Sequence, residues 1–271
     1  MKRVIAAISD LHLFSRYALM PPSFKTAEGM EVLASPGQLT IWEHYLNYAK
    51  VCDRDQVDTI LVVGDLIHGQ NFIERGVGLI SADLDEQVDM GCQVLDLLVN
   101  PGEGLPKRKL IMLGGSGYHK STRGHNPEKD VCDRLGGVWK GMIANLKFAP
   151  SEKVFNIQHG ESAAFVYREM LMGRELMFTK LAEATGKVPR IDVFIRGHWH
   201  NFIYIHEKDV HMIQLPAWMA YEPSKPYLKS YGKMQPDIGG CILYIDDYDR
   251  LRVWHFTMDE IPHFVDKVEE E

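Results

Sequence analysis

Sulfur, long apolar runs and positive charge are all in short supply in this sequence. Four cysteines occur in 271 residues, at Cys52, Cys92, Cys132 and Cys241, and none forms a Cys-x-x-Cys pair. That spacing argues against a thiolate zinc site and against a disulfide-stapled scaffold. No apolar stretch reaches the roughly 20 residues of a membrane-spanning helix. The apolar start, Val4 to Ile8, is too short for a signal-peptide core and is closed by Asp10. It reads as a buried strand of a cytoplasmic protein with no membrane association. The formal net charge is −7, which excludes a whole-surface electrostatic grip on nucleic acid but leaves room for a local basic patch.

Histidine, by contrast, is plentiful: twelve residues against the four cysteines. A metal bound here is expected to be held by imidazole and carboxylate. Apolar residues make up 45% and charged residues 25%, so the chain can bury a full core without staples. No internal repeat, low-complexity block or linker divides it. A single domain over residues 1–271 is expected, with a helical insertion at about 161–187.

Short β-branched apolar runs predict strands at Val4 to Ile8, Thr59 to Val63, Lys109 to Leu113, Val154 to Gln158 and Val193 to Arg196. Helical spacing predicts helices over Gln38 to Asp53, Leu84 to Val99 and Ser162 to Thr185. The alternation implies an α/β layered fold. Further on, Asn201 to His206, Val210 to Leu215, Cys241 to Tyr244 and Arg252 to Thr257 read as antiparallel strands.

The informative residues fall at the ends of the first five strands. They are Ser9-Asp10-Leu11-His12, Gly64-Asp65-Leu66-Ile67-His68-Gly69, Gly114 to Lys120, Gln158-His159-Gly160 and Gly197-His198-Trp199-His200. Ligands of open α/β sheets collect beyond the carboxyl ends of the strands. Any one of these motifs is common. Five in succession, each after an apolar strand, are hard to obtain without a site.

In order and spacing the set resembles the calcineurin-like metallophosphoesterase superfamily. The resemblance rests on Asp10-x-His12, Gly64-Asp65, the glycine-rich loop with His119, His159-Gly160, and Gly197-His198-x-His200. It implies a four-layer α/β/β/α sandwich of two mixed sheets flanked by helices, with the strand-rich remainder supplying the second sheet. It also implies one or two divalent metal ions. Mn is the first expectation, with Fe, Zn or Mg as alternatives. Two such ions about 3.5–4 Å apart neutralise a phosphate ester and lower the pKa of water.

By the same resemblance, Asp10, His12 and His200 form one metal site with Asp65 as the bridging carboxylate. His159 and His198 belong to the other. Asp10 and His12 suit one site because residues two apart on a strand share a face. His119 matches the family histidine that protonates the leaving oxygen, a role suited to imidazole. The implied reaction is hydrolysis of phosphodiester bonds by metal-activated hydroxide with His119 as general acid.

One departure stands out. The family loop reads Gly-Asn-His followed by an acid, but here it is Gly117-Tyr118-His119-Lys120. The variant resembles viral and microbial members with Gly-Ser/Thr-x-x-His. The second metal loses its Asn ligand, and Ser116 or Tyr118 is the candidate replacement.

Lys120, Arg123, His125 and His68 are candidate substrate-binding residues, with helix capping as the alternative for His68. Residues 120–153 carry seven basic and four acidic side chains. Tyr221, Tyr227 and Tyr231 interleave with Lys225, Lys229 and Lys233. Alternating rings and cations suit a single nucleic-acid strand. These features favour a nuclease-like phosphodiesterase. A nucleotide or protein phosphomonoesterase, and a weakened phosphoesterase-fold protein-binding scaffold, are the alternatives. The Met170, Met172 and Met177 stretch is expected to pack its helix, with a lid or partner surface as the alternative, and His44, His206, His211, His255 and His263 are expected to be structural.

Overall fold

The layering follows from the first strand, β1 (Arg3–Ile8). Ile5 and Ala7 face one apolar core while Val4, Ala6 and Ile8 face another. A strand apolar on both faces belongs inside a layered structure, because its side chains alternate between the faces. The computed structural model describes residues 3–70, 76–102, 104–119, 125–160, 168–220 and 235–259. A small hairpin, β2 (Ser23–Lys25) and β3 (Glu31–Leu33), follows β1.

In the first sheet β1, β4 (Thr59–Val63), β5 (Lys109–Leu113) and β6 (Val138–Trp139) run parallel. The second sheet takes β7 (Ile143–Leu146), β8 (Phe155–Gln158), β9 (Val193–Arg196), β10 (Ile203–Glu207) and β11 (Val210–Gln214), in the order β10-β11-β9-β8-β7. Its β8, β9 and β11 are parallel, and its two edges are antiparallel. The strand-rich remainder does not all join this sheet, as the sequence suggested. β12 (Gly239–Ile245) and β13 (Leu251–Thr257) return to the first sheet, with β12 antiparallel to β1. Both faces of β12 are apolar, and that fits it for an interior position rather than an edge.

Leu61, Val63, Ile111 and Leu113 of the first sheet meet Phe155, Ile157, Val193 and Ile195 of the second in a shared core. The other face of the first sheet packs on α1 (Pro36–Arg54), α2 (Leu84–Val99) and α3 (Pro127–Arg134). The outer face of the second sheet receives Met172 and Leu176 of α4 (Arg168–Ala184). The result is a four-layer α/β/β/α sandwich.

Local signals explain the helix starts. Ser35 and Gln38 form a reciprocal capping box with Pro36 at the first helical position, so α1 begins two residues before the apolar periodicity. Asp83 caps α2. Sequence periodicity did not anticipate α3 or the short strands β2, β3, β6 and β7. The expected helix over residues 162–185 is observed from Arg168, residues 161–167 lying outside the described set. Of its methionines only Met172 packs inward. Met170 and Met177 are exposed, contrary to the expectation of helix packing. No helix among the described residues is long and apolar enough to cross a membrane.

Candidate metal centre

β1 stops at Ile8, so Asp10 and His12 lie beyond the strand. Strand alternation does not bring them together. A left-handed backbone does, with φ of 54° at Asp10 and 45° at His12. Asp65, His198 and His200 share it, with φ of 50°, 81° and 57°. An extended Gly197 loop is therefore not what aligns His198 with His200. Such φ values cost a non-glycine residue about 1–3 kcal/mol each, and they cluster where function holds the strain in place. Glycine is required beside them at Gly115, where an added Cβ would fall 1.9 Å from Asp65 Oδ1.

The chain brings these residues into three groups whose donor atoms lie close together: Asp10, His12 and His200; Asp65, His159 and His198; and His12, His68 and His119. Asp10 is buried and oriented by its own loop. Its Oδ2 accepts from Ser9 Oγ at 2.6 Å and from the His198 N–H at 2.9 Å. Its Oδ1 is buried without a hydrogen-bond partner. That oxygen faces His200 Nε2 at 3.2 Å, His159 Nε2 at 3.6 Å and His12 Nε2 at 3.7 Å. His12 and His200 approach each other at 3.1 Å between Nε2 atoms.

Asp65 is held similarly. Its Oδ1 accepts from the Ser116 N–H at 2.7 Å, and the Ser116 hydroxyl donates to Oδ2 at 3.2 Å. Oδ2 lies 2.8 Å from His159 Nε2, yet that nitrogen has no partner in hydrogen-bond geometry. His159 Nδ1 donates to the Val63 carbonyl at 2.8 Å, which aims Nε2 into the site. This is the outer-shell contact that fixes the tautomer of a ligating histidine. His119 Nδ1 donates to the His68 carbonyl at 2.6 Å, and its Nε2 faces Asp65 Oδ2 at 3.6 Å.

The electrostatics suit a cation. Burial alone would raise both carboxyls, but the imidazoles around them, His159 foremost, hold Asp10 and Asp65 well below the ordinary carboxylate range. Burial also opposes charge on His159, but Asp65 and Asp10 outweigh it and push its pKa up to about 10. Burial drives His12 down to about 3, with His119 and His200 adding to it against the pull of Asp10. His198 is lowered by burial and then by His159. Two buried carboxylates thus converge on a ring of imidazoles. Orphaned Asp10 Oδ1 and His159 Nε2, with an oxygen and imidazole donor set, fit a borderline divalent ion.

The sequence matches no protein-family model and no curated protein. Among solved structures it is similar to an archaeal phosphodiesterase at 14% identity, with 94% of this chain and 99% of that one covered and a TM-score of 0.45. It is similar to Vps29 of Entamoeba histolytica complexed with zinc at 12% identity, covering 93% and 99%, with a TM-score of 0.42. A putative 5'-nucleotidase of Staphylococcus aureus aligns at 13% identity over 100% of this chain and 56% of that one, with a TM-score of 0.42. The observed strand order and layers, not these alignments, carry the fold assignment. The fold is a four-layer α/β/β/α sandwich of two mixed sheets flanked by helices.

Within this fold, the remaining candidates fall in different places. His68 is fully buried behind His12 and His119, its ring centroid 5.4 Å and 5.2 Å from theirs. His125 is exposed and ion-paired with Asp130 at 2.8 Å. Lys120, Arg123, the Tyr118 side chain, His263 and the Tyr221 to Lys233 segment lie outside the described residues.

Sequence reading missed Glu128, Gln87 and Gln214. Glu128, at the start of α3, is buried and accepts from the Leu66 N–H at 2.7 Å and the Gly115 N–H at 2.9 Å. One carboxylate thereby ties the Asp65 loop to the Ser116 loop. Burial, and then Asp65, push its pKa up to about 7. Gln87 Nε2 donates to the Gly69 carbonyl at 3.0 Å and its Oε1 accepts from the Gly69 N–H at 2.8 Å. Gln214 Nε2 donates to the Gly197 carbonyl at 2.6 Å. The only available signal was a polar residue at an apolar-periodic position, and α2 offers that pattern at Gln87.

Proposed function

We propose that this protein is a divalent-metal-dependent phosphoesterase that hydrolyses phosphodiesters. The observation that carries the reading is the pair of buried, partnerless atoms, Asp10 Oδ1 and His159 Nε2, among converging imidazoles. Native interiors rarely leave such atoms orphaned unless a ligand completes them. On this reading Asp10, His12 and His200 hold one cation, and Asp65, His159 and His198 a second. Manganese suits the mixed oxygen and imidazole set, with iron and zinc next. A divalent ion held there supplies charge neutralisation at the phosphoryl group and Lewis acidity.

The chain's own groups do the rest. Asp10 and Asp65 enter ionised and pre-oriented by Ser9, His198 and Ser116 donors. Ser116, one of the two candidate replacements for the family Asn, donates its hydroxyl to Asp65 Oδ2 at 3.2 Å. His119, fixed through Nδ1 by the His68 carbonyl, presents Nε2 to protonate the leaving oxygen. The finer reading is a nucleic-acid strand as the diester. Its support is the surplus of three basic residues over 120–153 and the Tyr/Lys alternation over 221–233.

The test is hydrolysis of bis-p-nitrophenyl phosphate, p-nitrophenyl phosphate and a single-stranded DNA oligomer by the manganese-loaded protein. Activity on both diesters is expected. Activity confined to monoesters overturns the phosphodiester reading.

A further inference from the structure

The second candidate cation group opens into a groove of about 790 Å³ that also reaches β7 and α4. Ser116, His159 and His198 line its deep end; His119, His12 and His200 do not line it. Its lining mixes the apolar side chains of Met142, Ile143, Phe178 and Trp199 with the charged ones of Glu175 and Arg196. Ile143 is 60% exposed and Phe178 58% exposed. Single exposed apolar residues are ordinary, but several from separate elements facing one cavity mark a binding surface. Arg174 lies one turn before Phe178 on α4, lines the same groove and makes no ion pair among the described residues. The volume is that of a small-molecule site.

We propose that this groove seats a flat aromatic ring carried on the retained ester group of the substrate. The inference rests on the phosphodiesterase reading above. That reading puts the phosphoryl group at the Asp10 and Asp65 cluster and the leaving oxygen on the His119 side. His159 and His198 line the groove and His119 does not, so its occupant is the group that stays on phosphorus. Phe178 offers a ring face and Ile143 an aliphatic wall, which together suit stacking. Arg174 complements the anionic diester at the mouth. Phe178 and Ile143 are thus specificity-determining residues.

The experiment compares phenyl p-nitrophenyl phosphate with methyl p-nitrophenyl phosphate, which share a leaving group and differ only in the retained one. The ratio of their kcat/KM values is measured for the manganese-loaded protein, for Phe178→Ala and for Ile143→Ser. Leu33→Ser, an exposed substitution on β3, is the control. The phenyl-to-methyl ratio is expected to fall about tenfold in Phe178→Ala, to fall in Ile143→Ser, and to stay fixed in the control. Because the ratio is compared between proteins, intrinsic reactivity cancels. A ratio unchanged in both groove variants overturns the proposal.

Calorimetric binding of phenylphosphonate and methylphosphonate supplies a readout without turnover. A phenyl preference that Phe178→Ala removes supports the groove even if neither diester is hydrolysed, in which case only the phosphodiesterase reading fails. Equal binding of the two phosphonates overturns the groove. Thymidine 5'-(p-nitrophenyl phosphate) separates two sources of the ring. A larger Phe178-dependent gain than with phenyl assigns a nucleobase, and a smaller one assigns a directly attached aryl group.

Discussion

The Asp10 carboxylate accepts the backbone N–H of His198 at 2.9 Å across 188 residues of sequence. That bond fixes one carboxylate oxygen and leaves the other, Oδ1, buried and partnerless in front of three imidazoles. Asp10→Asn preserves an acceptor for His198 but removes the charge. The wild-type protein should gain about 2.7 kcal/mol of stability at a metal concentration a hundredfold above Kd. In Asp10→Asn that gain should vanish. Thermal unfolding with and without manganese checks it, and an undiminished shift in the variant would contradict the assignment of Asp10.

His119→Ala should retain metal while losing hydrolysis by about 10²–10⁴-fold. The loss should be larger for an alkyl leaving group than for p-nitrophenyl, whose oxygen needs little protonation. Metal content and the two rates together decide this. Equal losses for both leaving groups would remove His119 from the acid role.

Gly115 and Gly117 sit in one loop but differ in surroundings. A Cβ at Gly115 would press on Asp65 Oδ1, whereas nothing lies within 4 Å of one at Gly117. Gly115→Ala should therefore displace the carboxylate and weaken metal binding strongly, and Gly117→Ala should leave it unchanged. Calorimetric manganese titration of both variants provides the comparison, and equal affinities would refute it.

Glu128→Ala should destabilise the protein by about 1–3 kcal/mol for each buried N–H left without its acceptor, at Leu66 and Gly115. Urea unfolding measures the loss. Metal affinity should drop with it, since both loops of the Asp65 site hang on that carboxylate.

Away from the metal centre, His211 provides a pH dependence. Burial, then His206 and Lys153, lower its pKa from 6.5 to about 4. The unfolded chain therefore binds a proton between these values that the folded chain does not. Its contribution to stability is full above pH 6.5 and is lost as pH falls towards 4. The urea midpoint of His211→Gln should fall less over that window than that of the wild type. Parallel slopes for the two proteins would rule the effect out.

Much of the scaffold was legible along the chain. β4, β5, β9 and α2 lie where their apolar runs and period placed them. Short apolar runs closed by glycine are local signals, and local signals survive without knowledge of neighbours. The insertion of β12 beside β1 was not legible. A strand apolar on both faces states that it is buried, but not which sheet buries it. The exposed faces of Met170 and Met177 were hidden for a related reason. Helical spacing shows where a stripe lies and not which stripe meets the sheet.

Residue type and order determined that a histidine and aspartate chemistry sits beyond five strand ends, because each motif directly follows an apolar run that reads as a buried strand. Only the tertiary structure decided how those residues converge. Left-handed turns at Asp10, His12, Asp65, His198 and His200 aim the side chains, and Glu128 and Ser116 lock the loops from elsewhere in the chain. Those φ values are unfavourable for the residues taken alone. They are held by contacts between segments far apart in sequence, which no local pattern records.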